Sequence, residues 1–434
     1  MSNTLDLAII GAGVSGLTMA RYAKSAGLSA LVFDKAEDVG GLWARLPSWQ
    51  DIQFRALDWS INNLPMGGVL QPDIHHNIRA MVPRYGLEDM LRLGHAVTKT
   101  RWDGEVWTVD TDKGAFTARH LVVASGLHNS PRLPDLDVSE FTGQTLHSSN
   151  VHDPSILTDQ SVTIVGGSAS AFDLIDLALE HKAREIHWVY RDLRWMVPST
   201  LDKHARSTHR TLALSQMLGS DIDGVNAATN QMLQSKYAYF KLEEIMPDYA
   251  FDIRQHSIVP GRPGLVQNFD ALHRHPGQIS RLEGKTAHIA LKEGGTTSFE
   301  TDLVLFGTGY QFDLDYLGLD KLSTVNTSAD LRTQCCRLIA STDYPNLFFL
   351  GATLLDGNGT TPWATAVIAR TIAKLIAKGE AASGPVIEDN VSHWNLLEVL
   401  APMDRKHYPI GLWRAHYLTR ALWYRWRDNE QVRI

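Results

Sequence analysis

Short apolar runs that stop on glycine recur along this 434-residue chain. The first, Leu5–Ile10, opens into Gly11-Ala12-Gly13-Val14-Ser15-Gly16 and then into a helical pattern lasting to near Gly27. A second run, residues 28–33, ends on Asp34 and Lys35. The arrangement returns at residues 161–165, which run into Gly166-Gly167-Ser168-Ala169-Ser170-Ala171. A helical pattern to about His181 follows, then a strand over 185–190 that meets Arg191. Unbroken apolar runs bounded by turn residues are typical of strands buried on both faces, as in parallel sheets. Further runs ending on glycine are 121–126, 298–307 and 346–351. Alternation over 97–101, 106–110 and 115–118, separated by Asp103-Gly104 and Lys113-Gly114, predicts a small antiparallel meander. Residues 201–248 read as mainly helical and polar, Gly261-Arg262-Pro263-Gly264 breaks that run, and 364–378 predict an amphipathic helix.

The pattern therefore predicts an α/β protein of two nested Rossmann-like dinucleotide-binding domains with a helical, Trp-rich C-terminal tail. The expected division is 1–155 for the first part of domain one, 156–295 for the inserted second domain, 296–380 for the return to the first, and 381–434 for the tail. Each position in the glycine turns has a physical job. Gly11 allows the sharp turn, Gly13 lets a pyrophosphate approach bare backbone, and Gly16 permits close packing of helix on strand. The helix N-terminus offers free N–H groups and positive dipole to phosphate. Asp34 lies 34 − 11 = 23 residues after Gly11, near the spacing expected of a carboxylate on a ribose hydroxyl. In the second unit a cation, Arg191, takes the acid's place, which favours a 2′-phosphate and so NADPH over NADH. Ser168 stands where a middle glycine is usual.

Composition narrows this further. Hydrophobic residues at 44% and charged residues at 21% are those of an ordinary soluble protein. The net charge of −7 speaks against nucleic acid or an anionic membrane. No stretch approaches the roughly 20 apolar residues of a transmembrane span. The first strand starts right after Met1-Ser2-Asn3-Thr4, so no signal peptide and a cytoplasmic location are expected. The two cysteines, Cys335-Cys336, read as a reduced pair rather than a redox centre, and no metal site is expected. His75-His76, in a loop-like stretch, reads as a surface pair. Trp49, Phe54 and Trp59 either line a cofactor ring or fill the core. In the tail, Trp394, Trp413, Trp423 and Trp426 either cover the protein's own surface or a homodimer partner, or touch a membrane surface.

Taken together, these motifs resemble the class B flavin monooxygenases: flavin-containing N/S-monooxygenases, YUCCA-type enzymes and Baeyer–Villiger monooxygenases. The carriers are the Gly11–Gly16 turn with Asp34, Gly40-Gly41-Leu42-Trp43, and Val122-Val123-Ala124-Ser125-Gly126 with Pro131 and Pro134. Phe141-Thr142-Gly143-Gln144-Thr145-Leu146-His147 is similar to the family's FxGxxxH signature. The Gly166 turn and Phe306-Gly307-Thr308-Gly309-Tyr310, like the family's ATGY, complete the set in family order over most of residues 5–375. The departures are Asp34 for the more frequent Glu, Val151 where the N/S branch has Tyr and the Baeyer–Villiger branch Trp, and Arg55 about where many N/S enzymes keep Asn. Ser148 after His147 follows the N/S pattern.

The resemblance implies FAD in the first unit, held by Gly11, Gly13, Val14, Ser15, Gly16, Asp34, Lys35, Gly41, Leu42, Trp43, Val97, Ala124 and Gly126. It implies NADPH in the second, on Gly166, Gly167, Ser168, Ala169, Ser170 and Arg191, with Thr308 and Gly309 beside the cofactors. Implied, too, is NADPH-driven reduction of FAD, formation of a C4a-(hydro)peroxyflavin from dioxygen, and oxygenation of a small molecule, at an amine nitrogen or sulfur on the Ser148 pattern. The alternative is Baeyer–Villiger oxygenation of a carbonyl, with Arg55 as the catalytic candidate, although a surface salt bridge is an equal reading of Arg55. A non-catalytic flavoprotein that binds a partner through its tail is a third reading. A flavin disulfide reductase would need a redox CxxC, which the sequence lacks.

Overall fold

Two sheets, each begun by an apolar strand that ends on a glycine turn, organise the protein. The computed structural model describes residues 4–52, 61, 64, 66–128, 130–201, 222–253, 255–353 and 362–388. The Trp-rich tail, Arg55, Phe54 and Trp59 lie outside the described residues. In the first sheet β1 (Leu5–Ile10) pairs in parallel with β2 (Ala30–Phe33), and β2 with β3 (Leu91–Arg92). The predicted meander is β4 (Val97–Trp102), β5 (Trp107–Thr111) and β6 (Gly114–Val123). Sequence reading separates the third meander strand from the buried run at 121–126. The structure joins them: β6 pairs antiparallel with β5 by its first half and parallel with β1 by its second.

The chain then crosses over through β7 (Ser130–Pro131) to β8 (Gln144–His147), β9 (Ser161–Val165) and β10 (Glu185–Tyr190). A small ladder of β11 (Met196–Val197) and β12 (Val259–Pro260) stands apart. Next come β13 (His273–Glu283), β14 (Thr286–Leu291), β15 (Thr296–Glu300) and β16 (Leu303–Phe306). The single strand expected over 298–306 is thus two, because β15 closes an antiparallel hairpin while β16 enters the parallel core beside β9. The chain returns through β17 (Tyr310–Gln311), paired with β7, to β18 (Cys335–Cys336), β19 (Ala340–Ser341) and β20 (Leu347–Phe349). The second sheet has the order β15-β14-β13-β10-β9-β16-β8, so it takes in β8, β15 and β16 from segments assigned by sequence to the first domain. The first sheet runs β18-β19-β20-β6-β1-β2-β3, with β5 and β4 appended to β6.

Helix α1 (Val14–Ser25) covers one face of the first sheet beside the predicted C-terminal helix, observed as Pro362–Lys378. Leu17, Met19, Ile368 and Ile372 are buried between them, and truncating any one to Ala costs about 2–5 kcal/mol. The His75-His76 pair belongs to helix α2 (Gln71–Tyr85), not a loop: Pro72 fits its first turn, and apolar residues at 74, 78 and 81 face the core. His76 is exposed, as a surface pair requires, but His75 is half-buried against the Val39 carbonyl, 2.9 Å away. Helix α3 (Ala169–Glu180) packs on the second sheet. No helix among the described residues is long and apolar enough to cross a membrane, and none of their His, Cys, Asp and Glu cluster as metal ligands. Both cysteines are buried, and burial pushes the Cys335 thiol up, which keeps it protonated and inert.

The second sheet carries a stack of rings. His187 on β10 lies 3.8 Å from Phe299 at 5° between planes, and 4.8 and 5.4 Å from His273 and His275. Burial, with its two histidine neighbours, pushes His187 down to about 4, against the opposing pull of Glu185. Between 6.5 and about 4 the unfolded chain gains a proton that folded His187 refuses, so its contribution to stability is complete above 6.5 and is lost as pH falls through this window. The melting temperature should therefore drop between about pH 7 and about pH 5, and drop less in His187→Phe. Equal drops in both proteins would remove His187 as the cause.

Candidate functional site

Two of the three glycines in the first turn are demanded by the fold itself. Gly11 has φ +106°, and a Cβ there would lie 2.6 Å from the Ala124 carbonyl oxygen. A Cβ on Gly16 would come within 1.7 Å of the Gly11 carbonyl oxygen, so this glycine lets α1 pack on β1 and does not itself reach the cleft. Gly13 is different. Its φ is −80°, and its nearest neighbour for a Cβ is the Gly41 Cα at 3.6 Å, an ordinary contact. Among the described residues nothing crowds a side chain at 13, so glycine here suits the close approach of a ligand to bare backbone. The Gly40-Gly41-Leu42-Trp43 motif is explained by the same contact. Gly40 N–H donates to the Ala12 carbonyl (3.0 Å), and a Cβ on Gly41, at φ +59°, would sit 3.1 Å from the Gly13 Cα. One glycine turn is stacked on the other. Helix α1 starts with no acidic residue in its first turn and no side-chain cap, so its leading N–H groups are left for an anion.

Asp34 ends β2 beside this turn. Its Oδ2 accepts from the Ala12 N–H at 2.6 Å and its Oδ1 from the Ala36 N–H at 2.9 Å, which fixes the carboxylate at the cleft. Each oxygen keeps a lone pair for a hydroxyl.

The second turn solves the same problem with different residues. Gly166 has φ +138°, and a Cβ there would meet the Gly307 carbonyl oxygen at 2.3 Å. Gly167 would clash with the Asp192 carbonyl oxygen at 2.0 Å. The third glycine position is Ala171, and the room is made on the opposite side: a Cβ on Gly307 would lie 2.7 Å from the Ala171 N. Ser168 occupies the position equivalent to Gly13 and begins α3 without capping it, so its hydroxyl remains available to a ligand. Arg191 follows β10 and is mostly exposed, and among the described residues it pairs with the adjacent Asp192 at 3.3 Å. An exposed pair of this kind is worth about 0–1 kcal/mol, so a phosphate can take the guanidinium over.

Both turns open into one cleft of about 1720 Å³. Its walls bring together Gly11, Gly13, Val14, Ser15, Asp34, Lys35, Gly41, Leu42, Trp43, Val97, Ala124 and Gly126 from the first half. Gly166, Gly167, Ser168, Ala169, Ser170, Arg191, Thr308 and Gly309 face them from the second. The FxGxxxH-like stretch shows how β8 is fixed beside β16 in the second sheet. A Cβ on Gly143 would strike the Asp302 carbonyl oxygen at 2.4 Å and the Phe141 ring at 2.5 Å. His147 Nε2–H donates to the Gly309 carbonyl at 2.9 Å, and its Nδ1 accepts from Ser149, a pattern that assigns the neutral Nε2–H tautomer. Burial pushes His147 down, which keeps it neutral. Thr308 and Gly309 are held in turn by the Arg132 backbone, at the β7–β17 ladder where the chain crosses between the sheets.

Sequence reasoning missed Arg262. It is fully buried, with Nε donating to Asp173 on α3 at 2.6 Å and Nη1 to the Pro260 carbonyl at 2.5 Å. Nη2 has no acceptor among the described residues. Burial opposes the charge, but Asp173, Asp51 and Asp176 hold the guanidinium above its ordinary value. Asp176 itself is pushed up by burial, against hydrogen bonds from the Gly264 and Leu265 N–H groups. Asp173 and Asp51 line the cleft directly in front of this cation. The signal was two acids, Asp173 and Asp176, inside the otherwise apolar stretch 171–179 of α3. Trp49 was left between core and cofactor; its ring packs against the second half's core, and its indole N–H donates to the Val151 carbonyl at 2.6 Å.

Comparison with known proteins agrees with this geometry. Residues 8–212 match the pyridine nucleotide-disulphide oxidoreductase family. The chain is 24% identical to flavin-containing monooxygenase 5 of Cavia porcellus over 363 residues, 75% of this chain and 65% of that protein. It is 27% identical to a Baeyer-Villiger monooxygenase of Streptomyces coelicolor over 228 residues, 49% of this chain and 43% of the relative. The chain thus spans less than two thirds of the length of these curated relatives. The crystal structure of OTEMO in complex with FAD and NADP superposes with a TM-score of 0.65 at 18% identity, over 87% of this chain and 86% of that one.

The glycine contacts give a direct test. Gly16→Ala should unfold the first half, because the added carbon has only backbone to displace. Gly13→Ala should leave the melting temperature of the cofactor-free protein unchanged while weakening dinucleotide binding. Equal destabilisation by both substitutions would refute the division of roles.

Proposed function

We propose that this chain, which is similar to flavin-containing and Baeyer–Villiger monooxygenases and matches the pyridine nucleotide-disulphide oxidoreductase family over residues 8–212, is an FAD- and NADPH-dependent monooxygenase. The observation that carries the reading is the single cleft into which two phosphate-type helix starts open, each with a middle position, Gly13 or Ser168, that the fold leaves to a ligand. FAD would lie on the Gly11 turn, the Gly41-Leu42-Trp43 stretch and Asp34, and NADPH on the Gly166 turn and Arg191. Bound there, the two cofactors supply hydride transfer and the activation of dioxygen. The chain's own work is positional. The α1 and α3 N-termini hold phosphates, Asp34 takes ribose hydroxyls, and Arg191 takes a 2′-phosphate. His147, neutral and hydrogen-bonded to Gly309, ties the end of β8 to the turn that follows β16 and so fixes the Thr308-Gly309 edge of the site. We extend the reading to a cytoplasmic enzyme acting on a small molecule, with domain borders that follow sheet membership.

The oxygenated atom is the finer question. Heteroatom oxygenation, at an amine nitrogen or sulfur, rests on the Ser148 pattern; Ser148 is fully buried, so any influence it has acts through packing and not through substrate contact. Carbonyl oxygenation is favoured by Arg262. That guanidinium stands one side chain behind the cleft wall with a nitrogen lacking an acceptor, a donor suited to a carbonyl oxygen or an oxyanion. Its charge is largely balanced by Asp173 and Asp51, which weakens the pull on anions. A panel of amines, thioethers and cyclic ketones, scored by oxygenated product formed with NADPH, tests both levels. Product from any class supports a monooxygenase, and N- or S-oxides without ester or lactone support the heteroatom reading. The reverse pattern establishes the carbonyl reading, and FAD-loaded protein that oxidises NADPH without product from any class contradicts the proposal.

A further inference from the structure

The loop that follows the Gly41 turn belongs by connection to the first sheet but sends one side chain into the core of the second. Its backbone is tied on the first side: Arg45 and Leu46 N–H groups donate to the Leu42 carbonyl (3.0 and 3.1 Å), and Ile52 N–H to Val69 (3.0 Å). Gln71 N–H, at the start of α2, donates to Gln50 (2.7 Å), and Ile52 is buried in the first core. Between these ties a tight turn, Gln50 N–H to the Pro47 carbonyl (3.0 Å), projects Trp49 outwards. The indole packs against the cluster built on β9, β10 and α3, and its N–H meets the carbonyl of Val151, a fully buried member of that cluster. Arg45, Leu46, Gln50 and Asp51 meanwhile line the cleft. The loop is therefore one wall of the cleft and a strap across its ends.

We propose that Trp49 is a positioning residue that pins the first half of the protein to the second and so sets the separation of the two glycine turns. Domains joined by short crossovers move relative to one another unless the interface between them is large and apolar. Among the described residues the attraction of Asp51 to Arg262 is a further polar tie across the cleft. Trp49 is suited to the task because a buried indole combines a large apolar area with one directional donor. The catalytic consequence rests on the monooxygenase reading, whereas the mechanical one does not. In a loaded enzyme a looser strap lets the cofactors drift apart, and reducing equivalents are lost to hydrogen peroxide: two electrons and two protons pass to dioxygen instead of one oxygen atom entering substrate.

Spin labels on Glu105→Cys, in the meander of the first sheet, and Glu293→Cys, at the β14–β15 turn, measure the separation directly. Both positions are exposed, and the native cysteines are buried. The protein with Trp49 intact should give one narrow distance distribution, and Trp49→Ala one about twofold wider or shifted, with unchanged far-ultraviolet circular dichroism. Trp49→Phe, which keeps a ring in the socket and removes only the donor, should fall between. Should Trp49→Ala fail to fold, the decision passes to Trp49→Phe: broadening supports the proposal and an unchanged distribution overturns it. In FAD-loaded protein the ratio of hydrogen peroxide to NADPH consumed should rise severalfold in both variants while flavin content per chain stays the same. An unchanged distance distribution overturns the proposal even if that ratio rises. If the unsubstituted protein does not oxidise NADPH at all, the functional reading fails, and the distances still decide the role of Trp49.

Discussion

Close backbone contact where a strand meets a helix is the constraint on which the rest of this structure depends. At Gly16 a single methyl group would lie 1.7 Å from a carbonyl oxygen, and at Gly307 it would lie 2.7 Å from the Ala171 nitrogen. Only with those carbons absent do α1 and α3 start directly beneath the ends of β1 and β9. The first N–H groups of a helix have no intrahelical acceptor. An anion would satisfy them, so the packing requirement and the proposed binding function meet in one feature. The second unit shows that the requirement concerns space and not a letter of sequence. Ala171 is allowed because Gly307, 136 residues later by 307 − 171, gives up its own side chain.

This also explains how much of the protein is legible in its sequence. The two strand–turn–helix units were placed within a residue or two, since both glycine chemistry and apolar periodicity act locally. The meander and the C-terminal helix were readable for the same reason. What was lost has long-range causes. β13, His-Arg-His-Pro-Gly-Gln-Ile-Ser-Arg-Leu-Glu, is half exposed and owes its strand to pairing with β10 and β14, which overrides its polar composition. The hinge near Tyr310 and the inclusion of β8 in the second sheet depend on which strands meet, a fact that no local window contains. At the candidate site Gly11, Gly13, Asp34 and Arg191 line one cleft, while Gly16 lies outside its lining and serves the helix–strand packing that its place in the turn implies. Arg262 and Asp173 are 89 residues apart and Trp49 and Val151 are 102 apart, so neither pairing could be read along the chain.

The contacts that sequence did not reveal lie at the seam between the two halves. Each half has its own apolar core, large enough to hold its sheet and helices together. Directed interactions that cross the seam are an indole on a valine carbonyl and the attraction between Asp51 and the buried Arg262. Burial of the Arg262 cation costs more than one ion pair usually returns, so its persistence beside the cleft points to geometry and not to stability as its purpose. The branch-specific positions fall in the same zone. Position 151, where both branches of the resembling family carry an aromatic ring, is Val, and the aromatic group that reaches this point comes from the opposite half as Trp49.

The central claim is that one cleft holds two dinucleotides at once, in contact and in the order set by the two turns. Anaerobic titration of the FAD-loaded protein with NADPH, and in parallel with NADH, tests it most directly. The account predicts that the visible absorbance of the flavin bleaches with one equivalent of NADPH, at lower concentration than with NADH, and that FAD stays on the protein throughout. Displacement of FAD by NADPH, or retention of both nucleotides without bleaching, would contradict it.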